Sequence, residues 1–337
     1  MAPGAGQQTV RRGSDKKLPF SNSQQIGLNA EERFASLAKS LADYRLGARH
    51  NAMKSSLHLL LVAIFLFGGA WPITKAALSD ACPMWFGFGR AALATIAASL
   101  LLLVLGRFHR PTRQDLPTVF AVGILQLGGF FILAHAAVEL VEAGRTAIIS
   151  AVVTYWLIPM SMLVMGEKVS GRRWLAALLG LAGILVLAGP WAVDWSAPGQ
   201  LAGHAMLITA ALLWSIAIIF TRRFPPKSPM FDLLPWAFLI GALVILPFAL
   251  ISQKPMTIGP DAWPYMLYIG LIVAPIGTWC VLEVGRRLPG AVASVAFLLV
   301  PAFGVFVSTL WLGEPFGWDM MLGGGLIVGS VILAAAE

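Results

Sequence analysis

Six side chains combine the chemistry of molecular recognition with apolar surroundings. Arg90 follows Phe86-Gly87-Phe88-Gly89 and enters an apolar run. A guanidinium there offers a planar fork for a carboxylate or phosphate; the competing reading is a side chain that snorkels to nearby headgroups. Gln126, flanked by Leu127, Gly128 and Gly129, can donate one hydrogen bond to a solute and accept another. Equally, it can tie two helices together across a close glycine contact. Tyr155, Trp156 and Trp214 fall near the middle of apolar runs, and Trp279 lies somewhat further inward. Aromatic walls of this kind suit amphipathic or aromatic solutes and cations; the plainer reading is packing or contact with lipid. These are groups for binding rather than for breaking bonds.

Other polar residues carry less. His135 and Glu139 stand four apart and share a helix face. They could carry protons, but solvation at the membrane interface is the simpler expectation. Glu283 and Arg286 read as a structural pair. No Asp or Glu occupies the middle of an apolar run, so no carboxylate there is an obvious proton-coupling group. His-Glu-x-x-His and Gly-x-Ser-x-Gly are absent, and Cys82 and Cys280 lie far apart in the chain. The sequence implies neither an enzyme nor a cofactor nor a metal site.

The elements that must position these residues are apolar helices. Of 337 residues, 58% are hydrophobic and 12% charged, against about a quarter charged in soluble proteins. The apolar runs are long enough for helices to cross ~30 Å of hydrocarbon at ~1.5 Å per residue. Ten spans are predicted: 57–77, 84–105, 117–138, 144–165, 173–190, 202–221, 232–252, 264–285, 289–312 and 320–336. The shorter alternating segments of a β-barrel are absent, so the fold class is an all-α membrane protein.

The second half of the chain repeats the first. Met165-Gly166-Glu167 closes one apolar run and Leu312-Gly313-Glu314 closes another, 147 residues later. Lys75 stands eight residues after Phe67, and Arg222 eight after Trp214. Five spans per half is odd, so the two repeats enter the membrane from opposite sides, and inverted repeats are the architecture of alternating access. The net charge of +8 is segregated by loop rather than arranged for nucleic acid. Arg107, Arg110, Arg113, Lys168, Arg172, Arg173, Arg222, Arg223, Lys227, Arg286 and Arg287 fall on the side of the basic amino-terminal tail. Only Lys75, Arg145 and Lys254 fall opposite. Both termini are therefore expected in the cytoplasm.

The stretches "FGFGRAALA" from Phe86, "AVELVEAGRTAIISA" from Ala137 and "MLVMGEKVSGRRWLAALLGLAGILVLAG" from Met162 resemble the drug/metabolite transporter superfamily. So do "TAALLWSIAIIFTRR" from Thr209 and "VPAFGVFVSTLWLGEPF" from Val300. The resemblance is to the bacterial ten-helix type with two EamA repeats and covers about residues 57–336. It implies a secondary transporter of the inner or plasma membrane with a central cavity between its halves, moving small organic solutes, often outward. Amino acids or related compounds are the leading expectation, and a passive channel is the rival. Thr154 stands where the fourth span of such proteins commonly has proline, while Pro301 keeps it in the ninth. Phe67 replaces the usual tryptophan of the first span, while Trp214 retains it in the sixth. The tail is also unusually long.

The expected organisation is a cytoplasmic tail over 1–56, a first repeat over 57–190, an outer linker over 191–201 and a second repeat over 202–337. Within the tail, Asn29 and Glu32 form a possible capping box before Phe34, Leu37, Ala38 and Leu41, consistent with a short amphipathic helix on lipid. Gly166 and Gly313 are expected to end helices, with Glu167 and Glu314 favouring the positive start of the next. Ser170 is a candidate cap for the fifth span. Trp71, Trp85, Trp191, Trp195, Trp263, Trp311 and Trp318 read as an aromatic belt. Gly325 and Gly329 have the spacing of a possible homodimer contact. The expected partners are a small-molecule solute and the lipid bilayer.

Overall fold

The computed structural model describes residues 57–166, 168–188, 196–252, 258–287, 297, 299–313 and 317–335. The amino-terminal tail, Glu167, Glu314, Trp191 and Trp195 lie outside these, and with them the expectations placed there. Among the described residues ten apolar helices fall at the ten predicted spans, seven long and apolar enough to cross a membrane and three shorter, arranged as two inverted five-helix repeats. Of the predicted ninth span, 289–312, only 297 and 299–312 are described. The first four are Leu57–Ala77, Pro83–Val104, Leu116–Leu140 and Ala143–Met165. Gly171–Ala188 is the fifth, Gln200–Arg223 the sixth and Met230–Ile251 the seventh. The eighth starts at Ala262 and ends at Arg287; Leu299–Leu312 and Trp318–Ala335 complete the set. Among the described residues there is no β-strand, only one bridge between Ala81 and Ile258.

Helix ends follow the local chemistry. Pro83 and Pro117 open the second and third spans in the first turn, where no amide hydrogen is missed. Gly166 and Gly313 close the fourth and ninth in left-handed conformation, with φ of 67° and 68°, which only glycine adopts without strain. The Trp174 amide donates to the Ser170 carbonyl, so Ser170 stands at the start of the fifth span. Lys75 donates to the carbonyls of Val138 and Val141, at 2.6 and 3.1 Å, and satisfies the frayed end of the third.

The repeats interlock along a long seam. The second span packs on the seventh, the fourth on the ninth and the fifth on the tenth. Each is thus set against its own counterpart in the other repeat. The third span completes the seam by packing on the sixth and seventh. Its middle, Ala121–Gly129, is wound as a π-helix, and so is Ile269–Gly277 at the matching place in the eighth. Gly123 lets the seventh span close in: a Cβ there would stand 2.6 Å from that of Ile240. The largest core cluster fills this seam, including Ala94, Leu127, Phe130, Phe131, Leu207 and Phe238. Leu163, Leu310 and Met321 are exposed on the rim, as lipid contact requires. Gly329 faces Leu179 of the fifth span, while a Cβ on Gly325 would meet open space.

The aromatic belt is only partly present. Trp263, Trp311 and Trp318 are exposed. Trp85 instead packs edge-on against Phe88, and Trp71 packs on Phe130. Closeness in sequence to a span end does not fix which way a helix face points.

Two clasps join the repeats, one at each face. At one, the buried Asp115 accepts five hydrogen bonds. Oδ1 receives the amides of Lys227 and Ser228, at 2.7 and 2.9 Å. Oδ2 receives the amide and hydroxyl of Thr112 and the hydroxyl of Ser228, at 2.7–2.9 Å. Beside it, Arg107 pairs with Asp232 at 2.7 Å, and the Trp236 indole donates to the His109 carbonyl. The opposite face carries the symmetry-related contact, where the Gly259 and Asp261 amides donate to the Asp80 carbonyl and carboxylate. Exchanging the halves turns the loops of one clasp into those of the other.

Burial alone would raise the Asp115 carboxyl, but the Ser228 and Thr112 donors hold it well below the usual carboxylate range. A depressed value means that its contribution is fully present above the unfolded value of about 4 and is lost as pH falls through the folded value. The clasp therefore stays charged throughout pH 5–8. Asp115→Asn turns one acceptor into a donor facing amide hydrogens. Its thermal midpoint in detergent is expected to fall by roughly 2–5 °C, the scale of losing one or two charge-assisted bonds. An unchanged midpoint would show that the clasp adds no stability.

Candidate functional site

Arg90 projects from the second span into the seam. Its residue is 7% exposed, and its guanidinium carbon stands 3.7 Å from the centre of the Phe131 ring. Among the described residues it makes neither an ion pair nor a hydrogen bond. A buried cation without a counter-charge costs several kcal/mol by order of magnitude, and cation–π contact recovers only ~2 kcal/mol of that. Arg90 lines a cavity with Gly87, Ala91, Leu127 and Phe131 of the first repeat and Phe238 and Ile245 of the second. The cavity measures about 10 Å³, room for roughly one water. Any larger solute requires the repeats to part.

Phe131 links Arg90 to a second expected residue. Its ring lies 6.2 Å from that of Trp214, and Phe130 lies 4.7 Å from the same indole. The chain of rings continues from Phe130 to Trp71. Gln126 is buried on the π-helical segment, one residue before the lining Leu127. Phe131 thus joins Arg90 and Trp214 in one region of the seam, while Gln126 is buried but does not line the cavity.

Tyr155 and Trp156 stand apart from it. They follow a break in the fourth span, between Ala143–Ser150 and Val153–Met165. Ser215, the neighbour of Trp214, donates to the Val153 carbonyl at 3.0 Å just past this break, which ties the sixth span to the fourth there. Tyr155 packs against a separate cluster of Ile148, Ile184, Val305 and Ile327. The Tyr155 hydroxyl and the Trp156 indole nitrogen are buried without partners among the described residues. Trp279 packs on Phe231, the ring over which Arg107 lies, and so belongs near the Asp115 clasp rather than to the cavity.

His135 is corrected from an interfacial residue to a buried one, at 1% exposed. Its Nδ1 bonds to the Phe131 carbonyl at 2.7 Å and must donate, leaving Nε2 as the bare nitrogen. Glu139, one turn on, is exposed; the shared face splits because the helix end emerges from the seam there. Phe131 and Gly87 are the residues that sequence reasoning missed. Their signals were faint: Gly87 is one turn before Arg90, and Phe131 one turn before His135.

Known proteins agree with this architecture. A transporter of Bacillus subtilis (strain 168), YdfC, is 26% identical over 278 residues, covering 81% of this chain and 88% of its own. A protein of Streptantibioticus cattleyicolor named "probable terminal-alkyne amino-acid exporter" is 20% identical over 289 residues, covering 83% and 93%. A crystal structure 18% identical in sequence superposes with a TM-score of 0.67 and covers 84% of this chain and 98% of its own, which supports the fold. The sequence pattern of the EamA-like transporter family matches twice, over residues 54–189 and 201–336. The chain therefore belongs to the EamA-like transporter family.

Proposed function

We propose that the protein is a secondary transporter that carries small organic metabolites across the cytoplasmic membrane by alternating access of its two inverted repeats. Arg90 is the counter-charge for an acidic group of the solute, and the rings around Phe131 and Trp214 take its apolar part. The observation that carries this reading is the buried, unpaired Arg90 on a cavity walled by both repeats. Intramembrane charge is costly and persists where it serves a pathway. The clasps of Asp115 and Asp80 part in turn, so that the cavity opens to one face at a time. Both termini lie in the cytoplasm, with 1–56 as the tail that precedes the repeats in the chain. Amino acids and related compounds, moved outward, are the leading solute class; the Streptantibioticus relative's name supports it. A passive channel is the alternative.

Counterflow in proteoliposomes tests the carrier. A labelled solute from a pool of amino acids and organic acids is expected to enter saturably, and faster when the same solute is loaded inside. Uptake that neither saturates nor accelerates would favour a channel. Arg90→Met removes the uncompensated charge at similar bulk. The variant is expected to lose flux at least tenfold while its thermal midpoint rises by several degrees without solute. A fall in midpoint would mean that the guanidinium has stabilising partners.

A further inference from the structure

Resting on the reading of Arg90 as the solute's counter-charge, we propose that the cavity is built for organic monoanions, monocarboxylates with an apolar body, rather than for zwitterions. This narrows the solute class from amino acids and related compounds to the related acids that lack the ammonium group. The charge balance of the walls carries this. Of the seven lining residues, Arg90 alone is charged; the others are Gly87, Ala91, Leu127, Phe131, Phe238 and Ile245. The buried acids among the described residues are committed elsewhere, Asp115 to its five donors and Asp232 to Arg107. The lining thus has a single positive charge and no acid to receive an ammonium group.

A carboxylate on Arg90 brings the site to neutrality. The ammonium group of an α-amino acid would return a positive charge to it. With the carboxylate ~4 Å from the guanidinium and the ammonium ~6 Å away, inverse-distance repulsion cancels roughly two-thirds of the attraction. The ammonium must also shed water, and no side chain among the seven lining residues offers it an acceptor. His135 does not supply one through the nitrogen that faces Gly87. A Cβ on Gly87 would stand 3.0 Å from His135 Nδ1, so that nitrogen faces the glycine. It already donates to the Phe131 carbonyl and presents a hydrogen, not a lone pair. A doubly charged phosphate would overshoot the one cation. The remaining walls, continuous with Phe130 and Trp214 through Phe131, suit an aliphatic or aromatic body.

Equilibrium binding to the full chain in nanodiscs at pH 7 tests this. Labelled 3-phenylpropanoate is competed with phenylalanine, which adds an ammonium group to the same skeleton, and with inorganic phosphate. Saturable binding is expected, with phenylalanine and phosphate at least tenfold weaker. Arg90→Gln is expected to weaken phenylpropanoate at least tenfold and erase its advantage over phenylalanine. Arg90→Lys, which keeps the charge, should preserve the order and controls for folding. Phenylalanine or phosphate competing as well as the monoanion, with binding still dependent on Arg90, overturns the monoanion class and leaves the Arg90 reading standing. Failure to bind, or binding unaffected by Arg90→Gln in folded protein, overturns both.

Discussion

An uncompensated cation in an apolar seam is the constraint around which this molecule is arranged. Hydrocarbon and close-packed side chains cannot screen Arg90, and the Phe131 face offsets only part of its desolvation. A protein optimised for stability alone would place an apolar residue there. Its location also matters, because the cavity wall includes Phe238 and Ile245 of the opposite repeat. Whatever neutralises Arg90 also stands between the two halves, so binding and the relative position of the repeats are coupled through one contact.

In the proposed carrier, the inverted symmetry gives that contact its mechanical role. The second, fourth and fifth spans pack on their own counterparts, so a small rotation of one repeat changes the seam at both faces in opposite senses. The two clasps have different strengths. Asp115 gathers five donors and is flanked by an ion pair, whereas Asp80 receives two backbone amides among the described residues. Paired π-helical segments in the third and eighth spans give matching irregularities along the seam. π-Turns within α-helices often accompany functional sites.

Much of the architecture was legible in the sequence because membrane insertion leaves a coarse signal. Apolar runs of span length become helices; Gly166 and Gly313 marked real helix ends. Arg90, Gln126 and Trp214 were visible as polar or amphipathic residues within such runs. Rotation about the helix axis was not. His135 and Trp85 lie near span ends yet turn inward, because glycines admit neighbouring helices and the seam determines which face is covered. Phe131 was hidden as one of nineteen phenylalanines; only the packing brings it under Arg90. Tyr155 goes to another cluster for the same reason, and Trp279, further inward in the sequence reading, packs on Phe231 at the edge of the main core.

The most direct measurement asks whether the Arg90 cavity opens to one face at a time. In a Cys82→Ser, Cys280→Ser background, Ala91→Cys places a thiol on the cavity wall. His109→Cys and Ser228→Cys, whose native side chains stand 3.3 Å apart, allow the Asp115 face to be bridged by a bifunctional thiol reagent before the Ala91→Cys thiol is probed. Impermeant reagents are then applied from each side of oriented vesicles. The account predicts that bridging abolishes labelling from the Asp115 face while labelling from the opposite face persists or increases. Labelling from the bridged face that continues unchanged, or access lost from both faces together, would contradict alternating access through this seam.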